Sequence, residues 1–250
     1  AAANADEYCT DGEADINDLY INAVGDDPID LSCIETISGS LEIEASIADS
    51  IDLSNLISVG EFVNIHDNDE LESIDLSSLE SVDGYLWLSY NSALQDVDLS
   101  ALQELDGEIY LYENISLKGL EAPLLAEVGG RVFIAYNEQI EVVDLSSVQE
   151  VNGDLYFFGN WNAPIEVADF SSLTTVNGYV EIYYNYTLET LVLDSLEEVN
   201  SYFQVRYNNL LDQLALPNLT EIASYVTVAD NASLESLEAP LLESIGGTLT

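Results

Sequence analysis

Carboxylates dominate the chemistry available to this chain. Of its 250 residues, 48 are Asp or Glu and only 3 are Lys or Arg, a formal net charge of −45. Paired carboxylates can cleave a glycosidic bond, one acting as acid and the other as base or nucleophile. With so many acids, however, finding a pair at a suitable spacing carries no information. Other reactive side chains are scarce. The single histidine, His66, falls at an outward strand position and reads as a surface residue with no catalytic or metal role. No P-loop, G-x-G-x-x-G, G-x-S-x-G, EF-hand loop or G-G-x-G-x-D repeat occurs. No catalytic residue, metal-ligand set or cofactor is therefore assigned. Diffuse binding of Ca2+ or other cations along carboxylate rows is the expected ion chemistry.

The same charge limits the partners. An anionic surface repels phosphate backbones and anionic lipid headgroups, so nucleic acid is not expected as a partner. Disorder needs low hydrophobicity as well as charge, whereas 48% of this chain is hydrophobic and 15 residues are Tyr. No run of 18 apolar residues exists, so direct membrane insertion is not expected. The chain begins AAANADEYC with no initiator Met, as expected of a secreted protein after signal removal, although a trimmed chain would look the same. Its two cysteines, Cys9 and Cys33, could form a disulfide in an oxidising compartment; the alternative is two buried thiols. The expected location is extracellular, at the cell surface.

Repetition supplies the elements. Leu56, Leu79, Leu102, Leu125 and Val148 recur every 23 residues; a step of 25 leads to Leu173, and steps of 23 resume at Leu196, Leu219 and Leu242. Twelve residues after each of the first eight stands an Asn: Asn68, Asn91, Asn114, Asn137, Asn160, Asn185, Asn208 and Asn231. A degenerate first copy starts at Ile34, with Ser46 in the Asn place. After each Gly the residues alternate, as in GYLWLSYN, GEIYLYEN and GDLYFFGN, the period of a strand with one buried face. A second short strand follows in VDL or IDL form, and the Leu and Val at the unit start form a third inward pair. The expected fold is all-β, a right-handed three-faced solenoid of about ten 23-residue coils. Residues 1–33 would be an N-terminal segment and disulfide-stapled cap, and 34–250 the repeat. Its last coil stops at Thr250 before reaching its Asn, so the polypeptide is expected to continue or to pair that end with another subunit. The Asn column is expected at a tight corner, tolerating unusual backbone angles and bonding to neighbouring coils; a ligand-binding Asn is the alternative.

These coils sort side chains onto faces. One outward column reads Glu42, Asn64, Trp87, Tyr110, Phe133, Tyr156, Glu181, Gln204; its neighbour reads Glu44, His66, Ser89, Tyr112, Ala135, Phe158, Tyr183, Arg206. Trp87, Tyr110, Tyr112, Phe133, Tyr156, Phe158 and Tyr183 therefore form a candidate binding face for a protein partner, for another copy in a filament or sheath, or for stacked sugar rings. The alternative is that stacked aromatics only stabilise the sheet. Acidic columns through Asp52, Asp75, Asp98, Asp144 and Asp169 and through Glu72, Glu141, Glu166 and Glu189 occupy other faces. Of four sequons, at Asn114, Asn185, Asn218 and Asn231, only Asn218 lies outside the corner column, which makes it the candidate glycosylation site.

The unit LSSLESVDGYLWLSYNSALQDVD, preceded by Cys9 and Cys33 and a GSLEI coil, resembles the receptor L-domain family of leucine-rich-repeat type. That family includes the ligand-binding lobes of the insulin and epidermal growth factor receptors, GPI-anchored fungal wall proteins and bacterial surface proteins. The resemblance spans residues 9–250 and implies a capped solenoid at the cell surface, non-enzymatic, structural or adhesive. It implies no active site, because the family shares a scaffold rather than a chemistry. A glycan-binding module is the first alternative, and a polysaccharide-degrading enzyme the least expected.

Overall fold

The computed structural model describes residues 15–22 and 28–250. Among these residues there is no helix, and hence none long and apolar enough to cross a membrane. Each coil contributes short strands to three faces. The widest face is one unbroken parallel sheet of ten four-residue strands, from Leu19–Asn22 through Leu86–Ser89 to Val226–Ala229. A second face holds two-residue strands such as Ser81–Val82, in sheets of five and six strands; the third holds strands such as Ser73–Asp75, in sheets of four, four and two. The molecule is a β-solenoid of about ten coils on the expected 23-residue repeat.

Alternation explains the wide face. Leu86, Ile109, Val132, Leu155 and Val180, with Leu88, Leu111, Ile134, Phe157 and Ile182, are all almost completely buried in one continuous core. Successive side chains in a strand point to opposite sides, so the residues between them must point out. The strand ladder starts earlier than the recognisable repeat. Leu19–Asn22 pairs in register with Leu41–Glu44, so residues 15–22 and 29–30, placed by sequence in the N-terminal segment, already belong to the first coil. That coil lacks the Leu and Asn signature but keeps the alternation of Leu19 and Ile21, both buried. Cys33 packs against this coil's core; Cys9 lies outside the described residues.

Coil 155–170 shows how the core stays filled. Ala163 and Ala168 replace larger side chains found in neighbouring coils, while Phe157 and Phe170 replace smaller ones, and all four are buried. The two-residue insertion next to Trp161 adds Ile165, also fully buried. Compensation of this kind keeps close packing without changing the backbone spacing of the coils.

The corner after the wide sheet is tight, and its strained residue is not the Asn. Left-handed backbone angles fall one position earlier, at Ala45, Asp67, Tyr90, Glu113, Tyr136, Gly159, Tyr184, Tyr207 and Asp230. This corrects the expectation that Asn itself supplies the unusual backbone. Asn instead supplies hydrogen bonds. Asn137 accepts the Asn114 N–H on Oδ1 at 3.1 Å and donates from Nδ2 to Leu111 O at 3.1 Å, while its own N–H reaches Asn160 Oδ1 at 2.8 Å. Asn68, Asn91, Asn114, Asn185, Asn208 and Asn231 repeat the donation to a carbonyl of the preceding coil.

Candidate binding face

Register alone stacks the aromatic column. Trp87, Tyr110, Phe133 and Tyr156 are successive Cα partners across neighbouring strands. Their ring centroids lie 5.1, 4.7 and 4.8 Å apart, the last two pairs nearly parallel at 12° and 11°. Tyr112 stands 5.7 Å from Tyr110, Phe158 stands 5.1 Å from Tyr156, and Tyr183 stacks on Phe158 at 4.4 Å. The Tyr156 and Tyr183 hydroxyls share a hydrogen bond of 2.8 Å. All seven residues of the candidate face thus form one connected cluster, each half-buried.

Two positions counted as outward behave differently. Ser89 and Ala135 are buried, although each lies at an outward register position; Ala135 pairs with Tyr112 and Phe158 on the flanking strands. Tyr136, in the left-handed region, makes edge contacts with Tyr112 at 5.4 Å and with Phe158 at 4.8 Å. Its ring also closes over Gly159, where a Cβ would come within 2.9 Å of it and where φ is +71°. A left-handed Tyr costs roughly 1–2 kcal/mol, and edge-to-face pairs of about 0.5–1.5 kcal/mol each offset it.

Shorter ladders extend the cluster. Phe62 stacks on Tyr85 at 4.7 Å, Tyr179 on Tyr202 at 4.6 Å and Tyr202 on Tyr225 at 4.8 Å, all within 7° of parallel. Sequence reasoning left these rings and the corner tyrosines out of the face. Their signal was present in the Tyr-rich positions just after Gly and just before Asn. Trp161, exposed at the insertion, meets the Tyr136 ring edge-on at 5.6 Å.

Charge on this face is paired off. Glu108 accepts the Trp87 indole N–H at 2.8 Å and the Arg131 Nε–H at 2.6 Å. The Arg131 guanidinium in turn lies 5.2 Å from the Tyr110 ring centre and 5.3 Å from that of Phe133, within cation–π range. At one end of the ladder burial raises the Glu181 pKa, and Gln204 and Tyr202 donate to its carboxylate at 3.0 and 3.3 Å. Burial likewise pushes up the phenols of Tyr85, Tyr110, Tyr156, Tyr179, Tyr183 and Tyr202. A hydrogen bond to Glu113 is the main cause for Tyr112. At the opposite end stand Glu42, Glu44 and His66.

Stacking decides what the face can offer. A ring with neighbours at about 4.8 Å on both sides has spent its two π faces, so its edge is what reaches solvent. The middle of the ladder is therefore a ridged, largely uncharged apolar surface rather than a set of open platforms.

The remaining predicted positions lie elsewhere. Asn68, Asn91, Asn114, Asn137, Asn160, Asn185 and Asn208 are fully buried and Asn231 half-buried, with their amides engaged between coils. The sequons at Asn114 and Asn185 are thus closed to an enzyme acting on the folded chain. Asn218 is exposed, donating from Nδ2 to Asp194 O at 2.7 Å. Comparison with models of protein families, with curated proteins and with solved structures finds no match.

Proposed function

We propose that this protein is an extracellular, non-enzymatic surface protein, structural or adhesive, that uses the aromatic face of its wide sheet to bind a protein partner or another copy of itself. The observation that carries this reading is the ladder from Trp87 to Tyr183, a half-buried aromatic strip in a chain of net charge −45. Elsewhere a carboxylate-covered surface keeps copies apart; here the sheet is comparatively free of charge, so association is directed to one place. The L-domain resemblance favours the cell surface. No free cysteine occurs among the described residues, which favours a Cys9–Cys33 bridge capping the first coil.

Ring geometry favours a protein over a glycan on the ladder itself. Sugars stack on open ring faces, and Phe133 has both of its faces covered while Tyr110 and Tyr156 each have one face covered by it. A glycan reading fits better at the corner, where Trp161 and Tyr186 are exposed.

The test is sedimentation across protein concentration, salt and calcium, together with capture of partners from the source cell surface. The double variant Trp87→Ala, Tyr156→Ala is expected to abolish association while leaving the far-UV circular dichroism of the solenoid unchanged. A chain that stays monomeric throughout and captures nothing, with or without the substitutions, removes the adhesive reading. Tryptophan fluorescence that responds to a polysaccharide, and is silenced by Trp161→Ala, would establish the corner as a glycan site instead.

A further inference from the structure

The geometry points to a divalent metal site of the zinc type at the N-terminal end of the wide sheet, held by Glu42, Glu44 and His66. Register creates it. Glu44 and His66 are direct Cα partners on neighbouring strands, and Glu42 lies two residues before Glu44 on the same outward side. The three side chains bring one potential ligand atom each to within 4.8 Å of one another, with His66 Nε2 3.6 Å from both Glu42 Oε1 and Glu44 Oε2. An ion bound tetrahedrally at about 2.0–2.1 Å separates its ligand atoms by about 3.3 Å. The two histidine–carboxylate separations need to contract by only a few tenths of an ångström, and the two carboxylates, within 4.8 Å of one another, close by rotation of their side chains.

Two further features favour an ion here over a chance meeting of acids. His66 Nδ1 lies 2.8 Å from Asp67 Oδ2. With its proton directed to that carboxylate, Nε2 turns a lone pair toward two more carboxylates, an arrangement that either a bound metal ion or a second ring proton must bridge. A carboxylate behind the ligating imidazole is how metal-bound histidines are oriented. Secondly, Asn64 Oδ1 is buried without a hydrogen-bond partner, on the strand position paired with Glu42. Its amide nitrogen makes only a 3.5 Å contact with Glu42 Oε1. Turning the amide over would direct that oxygen to the Glu42 side of the site, where it could serve as a fourth ligand, the third oxygen. Glu44 is further steadied by hydrogen bonds from Tyr20 and Asn22 on the preceding strand.

The ligand set selects the ion. Calcium takes six to eight oxygens and magnesium an octahedron of oxygens and water, whereas one imidazole with two carboxylates suits zinc and its first-row neighbours. The acid rows elsewhere would bind divalent ions loosely, so the measurement must report on the imidazole. His66 is the chain's only histidine, which makes its ring resonances an unambiguous probe.

Zn2+ titrated into the full chain under a large excess of Mg2+ is expected to shift the His66 ring signals to saturation at one equivalent. Glu42→Gln and Glu44→Gln should each weaken the apparent affinity at least tenfold, and Asp67→Asn about tenfold through loss of orientation. Glutamine keeps the size and hydrogen bonding of the position, and unchanged far-UV circular dichroism establishes that each variant is folded. Ring signals that stay still at one equivalent, move only with many equivalents in step with bulk carboxylate binding, or respond equally in the double Gln variant would overturn the site and leave His66 paired through a proton instead.

Discussion

A single amide at each corner does what a backbone ladder cannot. Where the chain leaves the wide sheet through a left-handed residue, the regular strand hydrogen bonds stop, and buried N–H and C=O groups would be left open. Asparagine fits because it offers an acceptor and a donor on one short stem. Aspartate lacks the donor, and alanine lacks both. Serine is tolerated once, at Ser46, where Asn68 Oδ1 from the next coil still accepts the Ser46 N–H at 2.9 Å. Asn137→Ala should therefore strand the Asn114 N–H and the Leu111 carbonyl, and an unpaired buried group costs about 1–3 kcal/mol. A loss of about 2–5 kcal/mol is expected in denaturant unfolding, and Asn137→Asp should be no better at neutral pH because it buries a charge without restoring the donor. A loss below about 0.5 kcal/mol for the alanine variant would mean that water replaces the amide at the corner.

At the scale of elements, the strand with its alternation was plain in the sequence and the ring geometry was not. The inward columns, the register from Glu42 to Gln204 and all seven residues of the face follow from period two and a fixed spacing, and the fold keeps them together. Burial of Ser89 and Ala135 could not be read that way, because register places both outward and burial is set by the side chains around them. The Glu42, Glu44 and His66 group was visible in two adjacent columns, yet only side-chain placement brings the atoms within reach of one ion. Burial in the ladder also has a measurable signature. Phenols whose folded pKa is raised above their ordinary value of 10.0 favour the neutral form in the fold. Their contribution to stability is complete below about pH 10 and is lost as pH climbs toward the raised values. The ladder tyrosines should therefore ionise together with the loss of the far-UV signal, in one steep step above pH 10. A gradual rise in phenolate absorbance centred near pH 10, with secondary structure intact, would mean that the rings are open to water.

For the whole molecule, the acid is ordered rather than spread evenly. On the third face Asp30, Asp52, Asp75, Asp98, Asp144 and Asp169 each accept the backbone N–H two residues on, at 2.8–3.1 Å, and so close the next turn. The hydroxyls of Ser32 and Ser100, together with those backbone bonds, hold the Asp30 and Asp98 carboxyls below the ordinary range. Such a row is structural, but its charges still stand one above another at the strand spacing of roughly 4.8 Å. At that distance each adjacent pair repels by about 1 kcal/mol even in water. A solenoid cannot relieve this by rearranging, because each coil touches only its neighbours and the successive coils from Asp30 to Asp169 repeat the row. Screening is what remains, and the Debye length falls from about 30 Å at 0.01 M salt to about 3 Å at 1 M. The melting temperature should therefore rise by several degrees between low and molar NaCl, and millimolar calcium should give part of that rise at low ionic strength. Sucrose at matched osmolarity should not reproduce the steep low-salt portion, since it strengthens burial without screening charge. A melting temperature indifferent to both salts would mean that the carboxylate rows are already well solvated, and that the charge of −45 costs the coils little.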